Sequence, residues 1–129
     1  MNNIKFFRLK IIRNPKGDIL KYINKKTKKF TEFGEIYFSE IKYGNVKGWN
    51  MHKKFFSILT VPFGDVTFTF SDYKFKKKKR IRINKKNFGY IFLPPKNWFC
   101  FKSNVKISIV SNILNKIHDD KETIKKNIL

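Results

Sequence analysis

The side chains best suited to chemistry fall in one stretch, GEIYFSEIKYGNVKGWNMHKK, from Gly34 to Lys54. Glu35, Tyr37 and Ser39 alternate with Ile36 and Phe38, and in an extended chain a period of two puts the three polar groups on one face. Such a face either lines a cavity or meets solvent, as one side of an antiparallel sheet does. After a turn at Tyr43 to Asn45, Asn50 and His52 again share a strand face. Imidazole is the side chain best matched to proton transfer near neutral pH; without that role His52 would sit at the surface or satisfied in the core. A second group, FLPPKNWFCF from Phe92 to Phe101, sets Trp98 behind a Pro94-Pro95 turn. His118, among Asp119, Asp120 and Lys121, reads as an exposed residue with no catalytic part. The chain has no glycine-rich phosphate loop, no G-x-S-x-G elbow and no paired carboxylates on an obvious rigid element, so several enzyme classes drop out.

The elements that must position these residues are strands. Phe, Ile, Val and Thr fall in short runs broken by Gly, Pro, Asn and Lys. Strands are expected at Lys5 to Ile11, Ile19 to Tyr22, Gly34 to Ser39, Phe55 to Val61, Asp65 to Ser71, Lys79 to Asn84, Gly89 to Leu93, Trp98 to Lys102 and Lys106 to Asn112. The spacing suits an all-β sandwich or barrel. Pro62 to Asp65 reads as a tight reversal, with Gly64 supplying a positive φ and the flanking strands pairing antiparallel. Lys76 to Arg80, five consecutive basic residues, belongs on an exposed loop or a sheet edge, where lysines discourage edge-to-edge association. From Ser111 onward the pattern turns polar, and Ile113, Ile117 and Ile124 at loosely helical spacing suggest a short C-terminal helix or arm.

Composition bounds the rest. The 129 residues carry 30 Lys+Arg against 9 Asp+Glu, a formal charge of +21, with 41% hydrophobic and 17% aromatic residues, which fits one domain with a real core over residues 1–129. One cysteine, Cys100, allows no internal disulfide, and with two histidines it cannot build a Cys/His zinc site. No apolar run approaches the roughly 18–20 residues that span a bilayer, and charges interrupt any signal-peptide core at the N-terminus. The reading is a soluble cytoplasmic protein. Charge alone points toward nucleic acid, but the chain lacks Ala and Gln and favours Lys, Asn, Ile and Phe, all with A/T-rich codons. Codon drift accounts for part of the charge, so nucleic acid is not the expected partner, while a smaller anion such as a diphosphate gains from the same field.

The order GEIYFS, KGWNMHKK, a Val-x-x-Gly-x-Val hairpin (Val61 to Val66), a Pro-Pro-x-x-Trp turn (Pro94 to Trp98) and an apolar strand running into SNILNKIHDDKE resembles the small cupins that act on nucleotide-linked 4-keto-6-deoxy sugars. Two branches are relevant, the dTDP-4-dehydrorhamnose 3,5-epimerases and the dTDP-sugar 3,4-ketoisomerases, whose shorter chains match this length better. The resemblance runs from about Asn14 to Glu122. It implies a cupin jelly-roll β-sandwich, commonly dimeric, with substrate in the barrel mouth. Both branches carry Arg-Gly-x-His, extended in the ketoisomerases to Arg-Gly-x-His-Ala-His-Lys. Here Lys47-Gly48 stands at Arg-Gly, Asn50 at the first His, and His52-Lys53 at the second His and Lys. Tyr37 matches an aromatic position on the preceding strand.

The chemistry so implied is isomerisation or epimerisation. A C4 carbonyl acidifies the C3 hydrogen, a base removes it, and a proton returns at another face or carbon. In that scheme His52 is base and shuttle, Tyr37 the acid or oxyanion partner, and Asn50 a donor to the oxyanion. Lys47 and Lys53 pair with sugar or diphosphate oxygens, and Trp98 offers a ring to sugar or base. Glu35 orients His52 or binds a hydroxyl, and Ser39 joins the same polar face. No cofactor is expected, and no catalytic metal, since Asn50 breaks the metal-cupin histidine pair. The expected partners are a nucleotide-diphosphate sugar and a second copy of the chain, in carbohydrate biosynthesis. The competing class is a non-catalytic cupin that binds a sugar nucleotide or a partner protein.

Overall fold

The computed structural model describes residues 3–127. In chain order the strands are β1 (Lys5–Arg8), β2 (Ile11–Ile12), β3 (Ile19–Leu20), β4 (Glu35–Lys42), β5 (Val46–His52), β6 (Ser57–Phe63), β7 (Val66–Ser71), β8 (Lys78–Ile83), β9 (Gly89–Leu93), β10 (Trp98–Ser103), β11 (Ile107–Leu114) and β12 (Thr123–Lys125). They form two five-stranded antiparallel sheets, ordered β1-β9-β6-β11-β4 and β12-β5-β10-β7-β8, with a small β2-β3 ribbon. The alternating runs dictate the layers. In β7, VTFTFS, Val66, Phe68 and Phe70 are fully buried between the sheets while Thr67 and Thr69 are half-buried on the outside. They meet Phe99 and Phe101 from β10 and Leu59, Val61, Ile91, Leu93 and Val110 from the facing sheet in one continuous core.

Both outer faces are partly covered. Trp49, Met51, Trp98 and Cys100 cluster on the outside of the second sheet beneath Phe75 and Ile124. Ile58, Tyr90 and Ile113 do the same on the first, beneath Tyr22, Ile23 and Phe30 from the connection after β3. The basic run ends in β8, an exposed edge strand, where sequence reading placed it.

Three expectations are corrected. The Pro62 to Asp65 turn does not join a hairpin, because β6 lies in the first sheet and β7 in the second. It is a corner between sheets, with Gly64 at φ +100 pressed on Ser108 and the Asp65 amide donating to Ser108 Oγ at 3.0 Å. The β6–β11 ladder shifts register between Thr60 and Phe63, where Pro62 has no amide hydrogen to give. The C-terminal segment forms no helix among the described residues; it crosses to the second sheet as β12, where Ile124 packs its outer cluster. Finally, residues 5–11 do not make one strand: β1 ends at Arg8 and Ile11–Ile12 pairs with Ile19–Leu20. Among the described residues no helix is long and apolar enough to cross a membrane.

Candidate active site

Strict alternation cannot put Lys47 and His52 on one face of β5, yet both point inward. The β5–β10 register explains this: Phe101 opposes Lys47, Cys100 opposes Gly48, and Phe99 opposes Asn50, so Gly48 and Trp49 together face Cys100. This is a β-bulge, which shifts the phase by one residue. Gly48, at φ +118, is required there, since a Cβ would lie 2.6 Å from the Phe99 carbonyl oxygen and 2.8 Å from Cys100. Beyond the bulge Asn50 and His52 face inward and Trp49 and Met51 outward.

Asn50 and His52 open onto a cavity of about 570 Å³. Tyr37 lines it from β4, Phe99 from β10, and Thr123 and Lys125 from β12, whose register sets them opposite His52 and Asn50. The chain between β11 and β12 crosses from one sheet to the other over the mouth and contributes His118 and Asp120.

His52 is 5% exposed and stacks between Phe55 and Phe99, with ring centroids 6.4 and 6.2 Å away. Its Nδ1 lies 2.6 Å from Oε1 of buried Glu122. The other carboxylate oxygen accepts the Lys54 and Phe55 amides, both at 2.8 Å. Burial pushes the Glu122 carboxyl up, but those two amides and the imidazole more than offset it, and the net shift is downward. An ionised Glu122 accepts a hydrogen bond from Nδ1–H, which fixes the tautomer of the neutral form of the ring with Nε2 as its basic nitrogen.

On the facing wall the Tyr37 hydroxyl accepts a hydrogen bond from Asn112 Nδ2 at 2.9 Å. Burial, and secondarily the Glu35 carboxylate, raise the phenol's pKa, so at neutral pH Tyr37 is a proton donor. The cavity thus offers a carboxylate-backed base, a protonated phenol, the Asn50 amide and the Lys125 ammonium. Among the described residues no three His, Cys, Asp or Glu side chains group closely enough to hold a metal ion.

The other residues singled out by sequence are distributed elsewhere. Ser39 faces inward farther along β4, where its Oγ accepts from Lys47 Nζ at 2.9 Å in a separate shallow groove. Glu35 does not reach His52; its carboxylate accepts the His118 amide. Lys53 follows His52 and so faces the outside, near Tyr73 and Lys96. Trp98, in phase with Cys100, packs in the outer cluster and donates Nε1–H to the Tyr73 carbonyl at 3.1 Å. His118 is exposed, as its sequence setting suggests, and its side chain also borders the cavity. Glu122, 70 residues from His52, went unnoticed because no local spacing announces a pairing made only when β12 docks on β5.

The architecture is that of the RmlC-like cupins, an all-β sandwich with a polar cavity at one end. Solved structures with this arrangement include a dTDP sugar isomerase from Desulfovibrio desulfuricans G20, with a TM-score of 0.91 at 23% identity over 98% of this chain and 85% of that one. The sugar 3,4-ketoisomerase QdtA from Thermoanaerobacterium thermosaccharolyticum, in complex with TDP, gives 0.83 at 16% over 98% and 90%. The dTDP-6-deoxy-D-glucose-3,5-epimerase RmlC from Legionella pneumophila Philadelphia 1, in complex with dTDP-4-keto-L-rhamnose, gives 0.86 at 13% over 100% and 75%. At these identities the likeness defines the fold. No protein-family model and no curated protein sequence matches the chain.

Proposed function

We propose that this protein is an isomerase or epimerase of a nucleotide-linked 4-keto-6-deoxy sugar, working by proton transfer beside the carbonyl. The observation that carries the reading is His52, buried in the cavity wall with Nδ1 on Glu122 and Nε2 left to a bound molecule. Nε2 takes the hydrogen from the carbon next to the carbonyl, and the pair of electrons released forms the enolate. Tyr37 and the Asn50 amide stabilise the developing oxyanion, Tyr37 by donating its proton. Lys125 and the net charge of +21 favour a diphosphate. The fold neighbours, a dTDP sugar isomerase and structures holding TDP or dTDP-4-keto-L-rhamnose, support the substrate class. Lys47 and Ser39 lie beyond this cavity, and Lys53 and Trp98 outside it, so substrate contacts pass to Thr123 and Lys125. The reading includes one cupin domain acting as a cytoplasmic homodimer. Exposed Ile36 and Phe38 on the outer face of edge strand β4 support association, and the lone Cys100 a reducing compartment.

Incubation with dTDP-4-keto-6-deoxyglucose in deuterated water is expected to place label at C3 or C5, and His52→Asn to remove it while dTDP still binds. One observation favours the second reading, a cupin that binds a sugar nucleotide without acting on it: Asn50 puts an amide, which transfers no proton, at the cavity wall. Binding of dTDP with no label at any ring carbon would establish that reading instead.

A further inference from the structure

One buried amide on the wall facing His52 works against the stability of the fold. Asn112 stands on the inward face of β11, in phase with Val110 and Leu114, both buried and apolar. The ladders set it between Leu59 of β6 and Tyr37 of β4. It is 5% exposed, and its side chain makes one hydrogen bond, from Nδ2 to the Tyr37 hydroxyl at 2.9 Å. The other end of the amide, Oδ1, is buried and has no partner among the described residues. A buried acceptor without a donor costs as much as one hydrogen bond returns, or more. For packing alone, an aliphatic side chain like its neighbours would be the better occupant. A polar group kept in such a place answers a demand other than stability.

That demand lies at Tyr37. With Nδ2–H donating into the phenol oxygen, the phenol's own hydrogen has no acceptor among the described residues and is left for a molecule in the cavity that Tyr37 lines. The bond also outlasts that hydrogen, because a phenolate accepts an N–H more strongly than a phenol does. Burial and the Glu35 carboxylate resist ionisation of Tyr37, and a donor held on the oxygen opposes them. An aliphatic residue at position 112 would leave the hydroxyl free to turn and the phenolate without its donor.

We propose that Asn112 is a positioning residue that acts through Tyr37: it directs the phenol's hydrogen into the cavity and stabilises the phenolate left when that hydrogen passes to the carbonyl oxygen. This rests on the keto-sugar reading of the cavity. In balance, His52 Nε2 takes the hydrogen from the carbon beside the carbonyl, and the C–H pair forms the C=C bond. The carbonyl π pair takes the proton from Tyr37, and the phenolate keeps the pair of the broken O–H bond, with Asn112 Nδ2–H donating to it.

The test follows label entering dTDP-4-keto-6-deoxyglucose in deuterated water, analysed as kcat and KM, beside the midpoint of urea unfolding. Asn112→Leu is expected to lower kcat about 10- to 100-fold, with KM within about threefold of the parent's and a urea midpoint no lower. Asn112→Ala, which only removes atoms, should lose kcat by a similar factor whatever its midpoint. In a Tyr37→Phe background neither substitution should lower the residual rate further, since the group it acts through is gone. A parental kcat in both variants, a raised KM with kcat unchanged, a lower urea midpoint for Asn112→Leu, or a loss that repeats in full beside Tyr37→Phe would overturn the role of Asn112 and leave the keto-sugar reading standing. Absence of label with the parent protein would overturn that reading, and the role of Asn112 with it.

Discussion

At the scale of single residues, Glu122 is the position on which the proposed chemistry turns. It fixes the His52 tautomer and, through the Lys54 and Phe55 amides, the chain that leaves β5. Glu122→Gln keeps the shape but can present its amide N–H to Nδ1, which would put the ring proton on Nε2 and remove the base. Label incorporation in the 4-keto sugar is expected to fall by about 10²–10⁴-fold, with dTDP binding nearly unchanged. Equal losses of affinity and rate would make Glu122 a structural residue only.

At the scale of elements, the bulge in β5 decides which side chains meet. Gly48 and Trp49 share one partner, Cys100, and the strand then runs in the opposite phase. Gly48→Ala places a methyl group against the Phe99 carbonyl and Cys100 at a φ that costs a side chain about 1–2 kcal/mol before any clash. The expected result is a loss of about 2–4 kcal/mol in denaturant unfolding, with His52 displaced from the cavity and labelling activity lost even at temperatures where the protein stays folded. An active Gly48→Ala variant of parental stability would show that the bulge is dispensable.

At the scale of the molecule, charge and acid response are linked. Asp65 accepts two hydrogen bonds from Arg82, at 2.9 and 2.8 Å, and others from Asn84 and Asn104, tying the β6–β7 corner to β8 and to the turn after β10. The Arg82 guanidinium, against some opposition from burial, takes its pKa from 3.8 down to about 2, and Glu122 is likewise depressed below 4.5. Groups held low in the folded state contribute stability that is complete above their unfolded values and disappears as pH falls through the folded ones. Thermal melts should therefore hold steady from pH 7 to about 5 and fall between about pH 4.5 and 2, as the net positive charge also grows. Asp65→Asn is expected to lower the melting temperature at pH 7 and to flatten the part of that fall below pH 4. An unchanged slope would mean that Asp65 is not a source of the acid sensitivity.

The all-β class, most strand positions and the shared strand face of Asn50 and His52 could be read from the sequence, because alternation of apolar and polar residues is a local property of extended chains. The family resemblance supplied the sandwich and the kind of chemistry. Local pattern failed where distant strands set the outcome. Pro62 to Asp65 has the residues of a hairpin but turns between sheets, since each flanking strand finds better partners elsewhere. Lys53 and Trp98 have suitable chemistry and the wrong phase. The carboxylate behind His52 and the second imidazole arrive on a crossing segment about 70 residues away, and only the docking of β12 on β5 brings them to the cavity. A sequence lays out which faces each strand can offer; which faces meet is settled by the packing of two sheets, whose free energy belongs to contacts that no short stretch of chain contains.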